Sequence, residues 1–203
     1  MKKTQLLLIV LLMLGLLGCA SNNALILYEQ GQKAFEDKKY VEAYEFFEQS
    51  LKKYQSFNVT KGIAANHVMM GDIHRTLGTY HEALKSYENA LKIYKEINNT
   101  EGIASSLTRI GIIHQSLKKY DWALDYYNEA LKIYRELSIP QYIATSLNQI
   151  NEVYRDIDRD KAFKFYQQVP EIFVQLGHSS FVNSVALSPN GKYILTESRN
   201  DKT

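Results

Sequence analysis

Self-similarity at a fixed spacing is the feature that most constrains this chain. Gly31, Gly71 and Gly111 lie 40 residues apart, as do Tyr40, Tyr80 and Tyr120, and Ala43, Ala83 and Ala123. Gly62-Ile63-Ala64 returns as Gly102-Ile103-Ala104 and then as Tyr142-Ile143-Ala144. Ala90-Leu91-Lys92-Ile93-Tyr94 returns as Ala130-Leu131-Lys132-Ile133-Tyr134. A period of this size predicts a stacked array of small structural units. One unit cannot bury both of its faces alone, so neighbours must stack.

Residues 102–137 are the most regular copy, and two helices fit into it. Ile103, Leu107, Ile110, Gly111, His114 and Leu117 share one face at helical spacing. Ala123, Tyr127, Ala130, Leu131, Tyr134 and Leu137 do the same in a second helix, with Lys118-Lys119 as the turn between them. The small residues Gly111, Ala123 and Ala130 stand where helices must approach closely. Tyr127 and Leu131 fill the gaps between layers, as dense packing requires.

The succession Ile110-Gly111, Tyr120, Ala123, Tyr127, Ala130 resembles the tetratricopeptide repeat. It is repeated by Met70-Gly71, Tyr80, Ala83, Tyr87, Ala90, and by Gly31, Tyr40, Ala43, Phe47, Ser50. The usual repeat is about 34 residues, so the longer period is similar to that of kinesin-light-chain-like members. HEAT and armadillo repeats have comparable periods but lack this Gly/Tyr/Ala spacing. The resemblance implies an all-α fold: a right-handed superhelical solenoid of four helix pairs over 24–176. The repeats fall at about 24–57, 58–98, 99–138 and 139–176. The fourth copy is degenerate, with Asn151 in place of the glycine and Pro170 inside its second helix. Gly177 is a stop signal just beyond it.

The composition changes at residues 177–203. Phe181, Val185 and Leu187 fall on one face of an extended segment. Ser188-Pro189-Asn190-Gly191 is a turn signal, and Tyr193–Thr196 reads as a returning strand. Gly177-His178, Ser184-Val185-Ala186, Ser188-Pro189-Asn190-Gly191-Lys192, Ile194-Leu195-Thr196 and Asp201-Lys202-Thr203 together resemble the opening of a WD-repeat propeller blade. Glu197 stands where that family has Gly. A blade needs four strands, so the resemblance implies a truncated blade. The alternative is a short native β-hairpin capping the last helix.

The N-terminus reads as a targeting segment. Lys2 and Lys3 are a basic start, Leu6–Leu17 is an almost unbroken apolar run, and small residues follow. The run is too short to span a bilayer comfortably. Leu16-Leu17-Gly18-Cys19 resembles the bacterial lipobox. That resemblance implies removal of 1–18, acylation (palmitate among the chains) of Cys19, a tether at 19–23 and a lipid anchor in the cell envelope. Ala20 rather than Asp slightly favours the outer membrane, on its periplasmic side. A plain signal peptide or a short membrane anchor is the alternative. Cys19 is the only cysteine, so no internal disulfide can form.

The chain carries 24 Lys and Arg against 22 Asp and Glu, and loss of Lys2 and Lys3 balances the charges. A balanced chain argues against nucleic acid, whose binders carry a basic patch or stripe. There is no nucleophile elbow and no Gly-rich phosphate loop, so no enzymatic activity, cofactor or small-molecule substrate is expected. His67 and His74 lie two turns apart on one helix, too far to share a metal ion without a third element between them. His114 repeats His74 and reads as a half-buried packing position, and Trp122 as a cover for the outer surface of its helix.

What remains is a surface. In stacked helix pairs the first helix of each repeat lines the concave side. Counted from the repeat glycine, its off-core positions are Val68, Asp72, Arg75 and Thr76. Their equivalents are Thr108, Ile112, Gln115 and Ser116, then Asn148, Glu152, Arg155 and Asp156. Tetratricopeptide arrays commonly bind peptides along such rows. Arg75 and Arg155 are candidates to hold a carboxylate, and Gln115 and Asn148 to bond peptide backbone. The chain is therefore expected to be a membrane-anchored scaffold for a protein or peptide partner. The alternative is a truncated fragment, with no independent activity, of a larger sensor or signalling protein that joined tetratricopeptide repeats to a propeller.

Overall fold

The computed structural model describes residues 23–158, 160–162, 164–165, 182–187 and 193–197. Cys19, the lipobox, Pro170, Gly177 and His178 lie outside them. Helix α1 covers 23–36. It is followed by α2 (Tyr40–Ser56), α3 (Thr60–Thr76), α4 (Tyr80–Glu96), α5 (Thr100–Ser116), α6 (Tyr120–Glu136) and α7 (Pro140–Ile157). Residues 160–162 and 164–165 are also helical. Two strands, β1 (Val182–Leu187) and β2 (Tyr193–Glu197), pair antiparallel, with Leu187 opposite Tyr193 and Val185 opposite Leu195.

The six helix starts from Tyr40 to Pro140 are 20 residues apart, half the period seen in the residue identities. The turns explain this spacing. Lys38, Asn58, Gly78, Asn98, Lys118 and Ser138 all have positive φ, from 52° to 76°, and they too recur every 20 residues. Each sits just past a helix end. The next residue's N–H then reaches back five positions, as from Lys39 to Ala34 (2.8 Å), Thr79 to His74 (2.9 Å) and Lys119 to His114 (2.8 Å). These are Schellman ends, which satisfy the last carbonyls of one helix. The chain starts the next helix at once, and that helix's N-cap is the same residue. Lys39, Val59, Thr79 and Lys119 cap without a side-chain hydrogen bond. Asn58 and Asn98 open triplets of the glycosylation type, but what the fold uses them for is the left-handed turn.

The chain divides into two compact units, Met1–Asn99 and Thr100–Thr203. In the first, Ala34, Ala43, Phe47, Met70 and Ile73 form a buried cluster, with Tyr28, Phe35 and Tyr44 packed against it. A glycine is required at 71, because a Cβ there would stand 2.5 Å from the ring of Tyr87. Ser50 takes the place of a repeat alanine, and the buried polar chain explains it. Its Oγ donates to the Ala24 carbonyl (2.9 Å) and accepts from Asn66 Nδ2 (3.2 Å), which also donates to the Gly62 carbonyl (2.9 Å). One hydroxyl thus ties α1, α2 and α3 together.

In the second unit Leu107, Ile110 and Ile113 of α5 bury against Ala123, Tyr127, Ala130 and Tyr134 of α6. On α7 the inner face is Ile143, Leu147, Ile150 and Val153. Tyr127 is fully buried against Gly111, in the same relation as Tyr87 to Gly71. Among the described residues no helix is long and apolar enough to cross a membrane.

Candidate interaction surface

The twelve candidate contact positions are divided between the two units, and each unit shows its own arrangement. In Met1–Asn99, Val68 is a correction: it is buried, at 9% exposure. A branched apolar side chain gains by turning inward, so Val68 contributes packing rather than contact. Asp72 and Arg75 are paired with each other, Arg75 Nε lying 3.8 Å from Asp72 Oδ1. The same Oδ1 accepts a hydrogen bond from the Tyr87 hydroxyl at 2.7 Å. Arg75, expected to hold a partner's carboxylate, therefore stands beside its own. The core phenol fixes Asp72, and Asp72 in turn orients Arg75.

In Thr100–Thr203 four of the expected residues do come together. Gln115 of α5 lines a polar recess of about 450 Å³ with Glu152, Arg155 and Asp156 of α7. The Tyr127 hydroxyl donates to Gln115 Oε1 at 2.8 Å. Burial, and secondarily the charge of Glu152, push the Tyr127 phenol far above its usual range, so it remains a donor. With Oε1 engaged, Gln115 can turn its two amide N–H donors to a partner. The recess thus presents amide donors, a guanidinium and two carboxylates, a set that suits an extended peptide backbone with charged side chains.

Thr108 is elsewhere, in a second recess with Arg109, Tyr134 and Tyr142, and its hydroxyl donates to the Ala104 carbonyl (3.0 Å). Ile112 and Asn148 are half-buried and line neither recess. The residues the sequence reading passed over are Tyr87 and Tyr127. Both read as packing aromatics, yet their hydroxyls reach through the core to the candidate surface. The signal was available in the column Phe47, Tyr87, Tyr127, where the hydroxyl appears only from the second repeat.

His74 and His114 are held by rings. His74 Nδ1 lies 2.9 Å from Thr79 Oγ1, and its ring meets Tyr44 edge-on at 5.4 Å. His114 stacks with Tyr126 at 5.3 Å and with Trp122 at 5.8 Å, and Trp122 is 59% exposed. His67 is lowered from its usual pKa by burial. Among the described residues no group of three or more His, Cys, Asp or Glu could hold a metal ion.

Comparison with known proteins bears on the whole arrangement. No curated protein sequence matches the chain. The fold is similar to aspartyl phosphate phosphatase F from Bacillus subtilis, with 15% identity and a TM-score of 0.70 over 78% of this chain and 42% of that one. It is similar to a Rap protein complexed with competence and sporulation factor (17% identity, TM-score 0.67, 77% of this chain and 44% of that one). It is also similar to BtubC from P. vanneervenii (18% identity, TM-score 0.66, 86% and 71%). The chain thus spans less than half the length of the first two. At these identities the likeness concerns the fold. The family model for the tetratricopeptide repeat matches residues 62–136 and again 102–173, which together take in 112 of the 203 residues. With its glycine–tyrosine contacts and its helix pairs of 40-residue period, the chain belongs to the tetratricopeptide-repeat family.

Proposed function

We propose that this chain is a non-catalytic interaction scaffold of four helix pairs, anchored in the bacterial cell envelope by lipid on Cys19, that binds a partner peptide on the first helices of its repeats. The observation that carries the peptide reading is the recess of Gln115, Glu152, Arg155 and Asp156, in which a core phenol holds Gln115 ready. A fixed side chain loses less entropy on binding than a mobile one. A Rap protein of similar fold is known in complex with a factor, competence and sporulation factor, which adds support from the fold. The anchor rests on the lipobox resemblance of Leu16–Cys19, and the outer membrane, periplasmic side, is favoured by Ala20.

The test is selection from a displayed random dodecapeptide library against the full chain in detergent. Selected peptides should bind Gln115→Ala/Arg155→Ala about tenfold more weakly, the scale of one lost charge-assisted hydrogen bond. Peptides that bind the double variant as well as the parent would refute the site. For the anchor, incorporation of a palmitate analogue should vanish with Cys19→Ser, and incorporation that persists would refute it.

A second reading is favoured by the antiparallel pairing of Val182–Leu187 with Tyr193–Glu197. Such a pair is what the opening strands of a WD blade would form. On this reading the chain is part of a larger tetratricopeptide–propeller sensor or signalling protein. The downstream DNA tests it, since an in-frame propeller should follow.

A further inference from the structure

One break in the repeat has a structural consequence. Position 62 is glycine, and a Cβ there would lie 2.7 Å from the ring of Tyr54, so that ring covers the helix backbone directly. The next copy keeps glycine at 102, but the last has Tyr142. The partner ring, Tyr134, cannot lie on a tyrosine as Tyr54 lies on a glycine. It is tilted 37° against Tyr142, with the centroids 4.9 Å apart. Beside this pair a recess of about 280 Å³ opens between α5 and α7.

Thr108 and Thr145 in the recess spend their protons on the Ala104 (3.0 Å) and Gln141 (2.9 Å) carbonyls, which leaves Ser105, Ser146 and Arg109 as its donors. Ser106, one repeat earlier, donates its hydroxyl to the Gly102 carbonyl at 2.9 Å. Its equivalent Ser146 lines the recess, is 1% exposed, and its Oγ has no hydrogen-bond partner. A buried hydroxyl left without a partner costs stability, so it calls for an explanation. Arg109 Nη1 donates to Ser105 Oγ at 2.6 Å, which leaves the Ser105 proton to point elsewhere. Donors from Ser105, Ser146 and a guanidinium suit an acceptor ligand. Glu101, also lining the recess, offsets the charge of Arg109. That balance favours a monoanion over a dianionic phosphate. The two rings supply an apolar wall for a short aliphatic stem.

We propose that this recess is the anchor pocket for one glutamate side chain of a bound peptide, its carboxylate held by Arg109 and Ser146 and its stem laid against Tyr134 and Tyr142. This rests on the peptide-binding reading above and names a chemical preference within it. The site is separate from the Gln115–Arg155 recess and lies where position 142 carries tyrosine in place of the glycine of the earlier copies.

The test titrates the full chain, in detergent and carrying ring-labelled tyrosine, with N-acetyl-glutamate methylamide. Binding should shift the Tyr134 and Tyr142 ring signals, which Tyr134→Phe and Tyr142→Phe identify. N-acetyl-glutamine methylamide should bind about tenfold more weakly, as should the glutamate probe to Arg109→Gln. Tyr142→Gly should close the recess and abolish binding. Ser146→Ala should weaken binding while leaving the melting temperature unchanged or higher, because it removes an unsatisfied hydroxyl. A lower melting temperature would make Ser146 merely structural and overturn its role. Equal affinity for the glutamine probe, tighter binding of N-acetyl-phosphoserine methylamide than of the glutamate probe, or no response to Arg109→Gln would overturn the proposal. Tighter binding of free glutamate than of the capped form would overturn the peptide source. If the capped probe binds as expected while the displayed library yields no peptide, the peptide-binding reading fails and the pocket stands.

Discussion

Gly111→Ala separates two effects of opposite sign. In a solvent-exposed helix interior this change gains about 1 kcal/mol, because alanine gives up less backbone entropy on folding. Here the new Cβ would meet the Tyr127 ring at 2.7, 2.8 and 3.3 Å. That ring cannot step aside, since it is fully buried and its hydroxyl is bonded to Gln115. Overpacking of this kind costs about 1–3 kcal/mol. The difference leaves a net loss of about 1 kcal/mol, a fall of about 2–4 °C in melting temperature for an array of this size. Thermal and urea unfolding of the full chain, followed by circular dichroism, would measure it. Combining Gly111→Ala with Tyr127→Leu removes the ring atoms in the way, so the double variant should lose less than the sum of the singles. A stabilised Gly111→Ala, or strict additivity, would refute the packing argument. Gly78→Ala is the control: nothing lies within 4 Å of its Cβ, but φ is +76°, so its loss comes from the backbone alone.

Four further outcomes are expected. Tyr127→Phe deletes the 2.8 Å bond to Gln115 and should cost about 1 kcal/mol, and Gln115-dependent peptide binding should weaken with it. The folded state raises the Tyr127 phenol by burial and holds it neutral. Its contribution is therefore complete below the ordinary value near 10 and is lost as pH rises toward the higher folded value, so alkaline unfolding should begin later in Tyr127→Phe. His67 is the opposite case, lowered by burial. Its contribution is present above the ordinary pKa near 6.5 and is lost as pH falls through the folded value; unfolding against pH should show a smaller acid loss in His67→Gln. Ser138→Gly should raise stability by about 1 kcal/mol, since Ser138 holds φ at 54°, and Asn98→Gly should gain less because asparagine tolerates that region; equal gains would refute the distinction.

The helix pairs were legible because packing writes them in residue types. A ring over a glycine needs both residues, so Gly71 with Tyr87 and Gly111 with Tyr127 recur together. The halved period was not legible. It is carried by backbone conformation at Lys38, Asn58, Gly78, Asn98, Lys118 and Ser138, and these residues share a positive φ without sharing chemistry. Counting from the glycine picks out Gln115, Glu152 and Arg155, and the fold sets these three along one recess. The same count erred at Val68, because a helix position fixes direction and not depth, and an apolar side chain there turns to its neighbours. Arg75 shows a further limit: the count sets Asp72 on the same face but does not say that the two pair.

The aromatic column explains how a regular scaffold can carry different surfaces. Phe47 has no hydroxyl to donate and only packs, in the buried cluster with Ala43, Met70 and Ile73. Tyr87 extends the same ring by one oxygen and reaches Asp72. Tyr127 extends it to Gln115 instead, because Ile112 now occupies the position equivalent to Asp72 and has no acceptor to offer. A single buried oxygen thus takes whichever acceptor its own repeat supplies, and by taking it sets how that side chain is presented. It follows that exchanging the surface residues alone should not transplant one repeat's display onto another. Asp72→Ile with Arg75→Gln should redirect the Tyr87 hydroxyl to position 75, as in the later repeat, whereas Asp72→Ile alone should leave the phenol poorly paired and Arg75→Gln alone should leave its bond to Asp72 in place. The double variant should therefore be more stable than the sum of its singles predicts, by about the 1 kcal/mol of one recovered hydrogen bond. Additive losses would mean that the phenol packs without steering the surface.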